Sequence, residues 1–256
     1  MGYRAVYHTD MGIKKKTNQD SLAIKLVETP KGQAVFAIIC DGMGGLSKGE
    51  LASKEVICAF SKWFDNEFTD MVDRDAFDPA LVRNQWSNIA AFENEKLKLY
   101  GEQNGIMIGT TISAILMYDE RYYIIHVGDS RVYELQSEPL QLTNDQTFVA
   151  REVAAGRMTE EQAETDSRRS VLLQCIGASP VVEPDFIYGE VKKNATYMLC
   201  SDGFRHKISK EEMMEKIGPE ASIDEEAMKY GCEFLTELVK VRRETDNITV
   251  LLIKSE

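Results

Sequence analysis

The stretch TTISAILMYDERYYIIHVGDSRVYEL, residues 110–135, decides the fold. Residues 110–118, 122–127 and 131–135 are three runs dense in Ile, Tyr and Val. Such side chains suit a pleated, half-buried surface. The polar breaks between the runs are too short for the crossover that parallel neighbours need. The three runs are therefore predicted as an antiparallel meander.

The same composition marks strands at residues 3–9, 21–27 and 33–40 before this stretch, and at 186–191, 196–201 and 247–253 after it. Between them lie helical patterns. Ala52, Val56, Phe60 and Trp63 recur at helical spacing, and Val82, Trp86, Ile89, Ala90 and Leu97 do so less regularly. These aromatic stripes read as core and not as a cofactor pocket. TEEQ at 159–162, SKEE at 209–212 and SIDE at 222–225 have the form of capping boxes. The last is expected to open a helix with Ile223, Ala227, Cys232, Leu235 and Val239 facing inward. The order of strands, helix pair, strands, helices and strand predicts an α+β architecture, with helices packed outside antiparallel sheets. No linker, repeat or low-complexity tract divides the chain, so residues 1–256 read as a single domain.

The net charge of −12, from 42 acidic against 30 basic residues, argues against a nucleic-acid or anionic-membrane partner, since both require a positive field. No apolar run resembles a leader or a membrane span, so a cytoplasmic location with no membrane association is expected. The chain stops soon after its last predicted strand, and no anchor or sensor domain is expected either. The five cysteines, at 40, 58, 175, 200 and 232, are predicted as buried free thiols, and no CxxC pair suggests zinc. Cys200 and Arg205 are separated by four residues, one short of a tyrosine-phosphatase loop.

Four aspartates share one placement at strand ends: Asp41 after residues 33–40, Asp129 after YYIIHVG, Asp202 after TYMLCS, and Asp246 before NITVLLI. One aspartate beside glycine is a turn former. Four, at the borders of central-looking strands, repel one another unless cations neutralise them. Hard oxygen ligands favour Mg²⁺ or Mn²⁺, and the scarcity of histidine disfavours zinc. Such ions would also draw an anionic substrate to an acidic protein. In CDGMGG, Gly42, Gly44 and Gly45 would let backbone approach an ion or substrate closely. A phosphate-loop reading of GMGG fails, because no Gly-Lys-Ser/Thr follows and no βαβ unit surrounds it.

Seven pieces, GIKKKTNQDS at 12–21, CDGMGG at 40–45, GTT at 109–111, GDSR at 128–131, LTNDQT at 142–147, CSDG at 200–203 and DNIT at 246–249, occur in the order of one family. Through them nearly the whole chain resembles the bacterial metal-dependent protein phosphatases of type 2C. The resemblance implies a β-sandwich of two antiparallel sheets flanked by helix pairs, a four-layer αββα fold. It also implies hydrolysis of phosphoserine and phosphothreonine in proteins, by a water held between two divalent cations, without a phosphoenzyme. In that pattern Asp41 bridges two Mg²⁺ or Mn²⁺ ions, with the Gly42 carbonyl on one of them and Asp202 and Asp246 on the other. Asp129 with Asp202 would hold a third, weaker ion, and Asp20 would position waters. The implied partners are phosphorylated proteins, a serine/threonine kinase or that kinase's substrates.

The chain departs from the family pattern at several places. Lys15 stands where the family places a phosphate-gripping arginine; it supplies charge but not a bidentate fork. Alternatively, Lys14 to Lys16 are a solvated turn. Met43 replaces the histidine of DGHGG, so a cation-bound water would have to protonate the leaving alkoxide. Of the three histidines, His126 reads as packed core, His8 as a strand-end residue and His206 as a surface residue at a helix start. Residues 143–170 correspond to the family's flap, here with altered motifs. Lys15 and this flap motivate an alternative, a catalytically weak relative that binds phosphoprotein as a sensor or scaffold; hydrolysis of small phosphate esters is a third reading.

Overall fold

The computed structural model describes residues 1–43 and 48–256; the expectation for Gly44 and Gly45 lies outside the described residues. In chain order it runs β1 (Tyr3–Asp10), β2 (Asp20–Thr29), β3 (Gly32–Asp41), α1 (Gly49–Trp63), a π-helical turn (Phe64–Phe68), α2 (Thr69–Asp73) and α3 (Pro79–Asn104). Then follow β4 (Ile112–Tyr118), β5 (Arg121–Val127), β6 (Arg131–Leu135), β7 (Pro139–Gln141), α4 (Phe148–Ala154) and α5 (Glu160–Thr165). The last third contains β8 (Asp185–Glu190), β9 (Thr196–Cys200), α6 (Asp202–Arg205), α7 (Lys210–Ile217), α8 (Glu225–Val241) and β10 (Ile248–Ser255).

Two five-stranded sheets form, in the orders β1-β10-β9-β6-β7 and β2-β3-β4-β5-β8, and every strand pair is antiparallel. The period-2 alternation of β3 shows why the sheets stack. Phe36, Ile38 and Cys40 point to a cluster holding Phe60, Trp63 and Trp86 of α1 and α3. Val35, Ala37 and Ile39 point the other way, to Tyr197, Leu199 and Leu251 of the opposite sheet. A third cluster joins that sheet, through Met198, Cys200 and Val250, to Ile217 of α7 and Leu235 of α8. Three apolar seams separate four layers, giving the αββα sandwich.

Three expectations need correction. The meander breaks after β5: β4 and β5 pair, but β6 joins the other sheet, between β7 and β9. The turn between them is not a hairpin. The chain crosses between the sheets at Gly128, whose φ of +109° and 2.5 Å approach of a would-be Cβ to Thr111 Cγ2 require glycine there. In SIDE, the N-cap of α8 is Asp224, whose side chain accepts from Ala227 N, because Ser222 Oγ donates to Ile217 O at the end of α7. The two-residue shift leaves Ile223 before the helix and exposed, while Cys232, Leu235 and Val239 are buried as expected. Four cysteines are buried free thiols; Cys58 is exposed, on the side of α1 away from the Val56–Phe60 stripe.

Candidate metal centre

The five predicted acids come from both sheets and meet where strand ends converge. Asp20 opens β2 and Asp41 closes β3, directly opposite each other in the register. Like charges so placed repel. Asp129 lies in the β5–β6 crossing, Asp202 opens α6 directly after β9, and Asp246 precedes β10. The sheets are tied together at this point: Thr249 Oγ1 of β10 donates to Asp20 Oδ2 at 2.6 Å, and Gln19 N donates to Asn247 Oδ1 at 2.9 Å.

The backbone of Asp41 is held on three sides. Its N–H donates to Thr111 Oγ1 at 2.9 Å, and its carbonyl accepts from Thr111 N and Thr110 Oγ1, each at 2.9 Å. GTT thus fixes where the carboxylate of Asp41 points. Gly42 follows, its N–H donating to Gln19 O at 3.1 Å. A Cβ on Gly42 would stand 2.4 Å from Gly49 O and 2.5 Å from Gln19 O, so only glycine lets α1 and β2 close on this backbone. Met43 N donates to Gly109 O, on the same side of the site.

Electrostatically the cluster is unfavourable on its own. Burial, followed by repulsion from Asp20, Asp202, Asp129 and Asp246, pushes the Asp41 carboxyl well above its ordinary range. Asp20 is raised to about 7, by burial and then by Asp202 and Asp246 against its hydrogen bonds. Asp129 is raised to about 7 by burial and Asp202. Asp202 is raised by burial and Asp246, against the Arg205 charge. Asp20 Oδ1 and Asp202 Oδ1 are buried without any hydrogen-bond partner. Among the described residues no three acidic, histidine or cysteine side chains close to ligand distance of one point. Instead Lys15 Nζ supplies counter-charge, 2.6 Å from Asp246 Oδ1.

Clustered carboxylates with orphaned oxygens, their nearest imidazole (His206) 3.8 Å from Asp202, are the donor set of a hard divalent cation. The residues fit Mg²⁺ or Mn²⁺. A pH dependence follows for the cation-free protein. A carboxyl with a folded pKa near 7 stabilises the fold fully only below its unfolded value, about 3.9, and that contribution disappears as pH rises through 7. Buried His126 and His206, both shifted down, oppose this slope only up to their unfolded value, about 6.5. Between about pH 6.5 and 8 the carboxylates act alone, each differing proton costing about 1.4 kcal/mol per pH unit. The melting temperature in chelator is expected to fall across this window, and added Mn²⁺ to cancel the fall. A flat profile in chelator contradicts the clustering.

One group was not legible as part of the site. Arg205 Nη2 donates to Asp129 O at 3.1 Å and to Asp145 Oδ2 at 3.2 Å. Arg131 grips both oxygens of Asp145, at 2.7 and 2.8 Å. This network ties Asp145 to the backbone of Asp129; Arg131 and Asp145 lie in the GDSR and LTNDQT motifs, whereas Arg205 carries no motif beyond its place after CSDGF. Cys200, by contrast, is buried and its thiol is pushed to about 12, which rules out a thiolate nucleophile paired with Arg205. His126 is core, as expected, hydrogen-bonded to Ser113 Oγ and Asn144 O. His206 is not the expected surface residue at a helix start: it follows α6, half-buried, 3.8 Å from Asp202, and burial and Arg205 push its imidazole down to about 4.

Comparison with known proteins agrees with this architecture. The family described as Protein phosphatase 2C matches residues 12–235. The serine/threonine phosphatase stp of Listeria welshimeri is 31% identical over 255 residues, 98% of this chain and 95% of that protein. The S. agalactiae serine/threonine phosphatase structure superposes with a TM-score of 0.84 at 28% identity, covering 100% of both chains. The catalytic domain of the serine threonine protein phosphatase PstP, in complex with two manganese ions, gives a TM-score of 0.76 at 27% identity over 98% of this chain and 97% of that one.

Proposed function

We infer the reaction from one premise: the chain belongs to the protein phosphatase 2C family. It is a metal-dependent serine/threonine protein phosphatase. The sensor or scaffold alternative is not favoured, since the full-length relatives are phosphatases and every acid the reaction requires is present.

The observation that carries the residue assignment is the pair of orphaned oxygens, on buried Asp20 and Asp202, in a cluster with buried Asp129 and half-buried Asp41 and Asp246. We propose that Asp41, Asp202, Asp246 and the Gly42 carbonyl hold two Mg²⁺ or Mn²⁺ ions, and that Asp129 with Asp202 holds a third, weaker one. When bound, such ions would offset the carboxylate charge, polarise the phosphoryl group and acidify a water for in-line attack. The chain's own residues do the rest. Thr110 and Thr111 hold the backbone of Asp41 rigid. Asp20, oriented through Oδ2 by Thr249, offers Oδ1 to the attacking water. Lys15 exchanges Asp246 for the substrate's phosphate.

The same proposal takes residues 1–256 as one catalytic domain with a flap near 143–170, and phosphorylated proteins, a kinase or its targets, as partners. Five free cysteines support a reducing, cytoplasmic setting, and among the described residues no helix is long and apolar enough to cross a membrane.

The test is phosphate release from a phosphothreonine peptide by Lys15 variants. Loss of a charge-assisted bond, about 1.5–3 kcal/mol, predicts that Lys15→Met raises KM about tenfold or more. Lys15→Arg, with its bidentate fork, is expected to lower KM. If both variants leave KM and kcat at the wild-type values, Lys15 does not hold the phosphate.

A further inference from the structure

The β1–β2 loop is built onto the metal centre. The side-chain amide of Asn247, next to Asp246, donates to Met11 O at 2.9 Å and to Thr17 O at 3.1 Å, so one group clasps both ends of the loop. Gly12 adopts φ +76°, and a Cβ there would stand 2.2 Å from Asp246 O. Of the three consecutive lysines on this loop, only Lys15 turns inward; Lys14 and Lys16 are exposed. The carboxylates beside them are already engaged, Asp246 by Lys15 at 2.6 Å and Asp10 by Lys240 at 3.0 Å. Among the described residues neither Lys14 nor Lys16 forms an ion pair. Two cations without an ion pair among the described residues thus flank Lys15 on a loop clasped at both ends beside Asp246, in a chain of net charge −12.

We propose that Lys14 and Lys16 form a cationic rim that selects phosphorylated segments carrying aspartate or glutamate within about three residues of the phosphorylated one. The inference rests on the reading that Lys15 meets the substrate phosphate. Neighbouring Cα atoms lie about 3.8 Å apart, and an extended peptide advances about 3.3–3.6 Å per residue. Carboxylates one to three positions from the phosphate therefore come within reach of the two outward ammoniums. An acidic peptide is otherwise repelled by the overall charge of this protein, so local cations decide whether it docks. A merely solvated turn needs no clasp at both ends and makes no distinction between peptides.

The experiment compares kcat/KM of the full chain with Mn²⁺ on equal-length phosphothreonine peptides flanked by glutamate, glutamine or lysine, and on p-nitrophenyl phosphate. The glutamate peptide is expected to exceed the glutamine peptide about tenfold at low ionic strength, through KM. The preference is expected to shrink in about 0.5 M salt. The double variant Lys14→Glu, Lys16→Glu is expected to prefer the lysine peptide, and Lys14→Gln, Lys16→Gln to show no preference, while both retain wild-type turnover of p-nitrophenyl phosphate. Equal kcat/KM on glutamate and glutamine peptides overturns the rim, as does a preference that survives both double variants. Turnover of the aryl ester with no turnover of any peptide overturns the protein-phosphatase reading itself, and the rim with it.

Discussion

Replacing Asp41 with asparagine is expected to lower turnover by more than about a hundredfold while raising the melting temperature of the cation-free protein. Disturbing groups that merely orient metal ligands costs about 10–100-fold, and Asp41 is assigned as a ligand shared by two ions. The backbone of Asp41 is pinned by Thr110 and Thr111, so asparagine inherits its position but not its charge. Without cations, that charge is repelled by Asp20, Asp202, Asp129 and Asp246 in a buried site. Removing it relieves the cluster. The same substitution abolishes the stabilisation that Mn²⁺ confers, because bound cation favours the folded state by mass action. Activity and cation-free stability thus move in opposite directions, which a substitution that simply disrupts packing does not produce. Phosphate release and thermal melts with Mn²⁺ and with chelator measure both. An Asp41→Asn protein that keeps its turnover, or that melts lower than wild type in chelator, contradicts the assignment.

Strands and helices that carry their own periodicity were legible from sequence. The stripe Ala52, Val56, Phe60 and Trp63 in α1 states both the element and the face it buries, whereas the continuous apolar run of β3 marks a buried strand without telling its two faces apart. What remained hidden depends on partners distant in the chain. The break Gly128–Asp129–Ser130 has the length of a hairpin, yet β6 pairs with β7 and β9 in the other sheet, partners 4 and 61 or more positions away that the break itself does not show. Ser222 and Asp224 are equally plausible caps locally; the carbonyl of Ile217 settles the choice by engaging Ser222. The three-residue β7 and four-residue α6 are too short to show a period.

The site divides the same way. Aspartates at strand ends can be read along the chain, and the sheet registers bring Asp20 opposite Asp41. The Arg131–Asp145–Arg205 network joins residues 14 and 60 positions apart, so the motifs GDSR and LTNDQT show its members without showing that they pair. The three consecutive lysines read as one motif, yet the structure gives Lys15 to Asp246 and leaves Lys14 and Lys16 to solvent.

Removing divalent cation is expected to have the largest effect of all. The carboxylates are protonated or mutually repelled without it, Lys15 is held by Asp246, and Cys200 is buried with its thiol raised to about 12. No thiolate route through Cys200 therefore bypasses the ion. Loss of both the charge that polarises the phosphoryl group and the acidified water removes several kcal/mol of transition-state stabilisation. That corresponds to about a thousandfold or more in rate. Restoring Mn²⁺ is expected to restore turnover, because the hydrogen bonds of Thr249 to Asp20 and of Gln19 to Asn247 tie the two sheets together at the site through protein groups alone.

The most direct measurement is phosphate release from a phosphothreonine peptide by one protein sample: first with Mn²⁺, then after chelation, then after Mn²⁺ is returned in excess. Turnover that vanishes with chelator and returns with Mn²⁺ is the predicted result. Turnover that persists at the same rate in chelator contradicts a cation-driven centre at Asp41, Asp202 and Asp246.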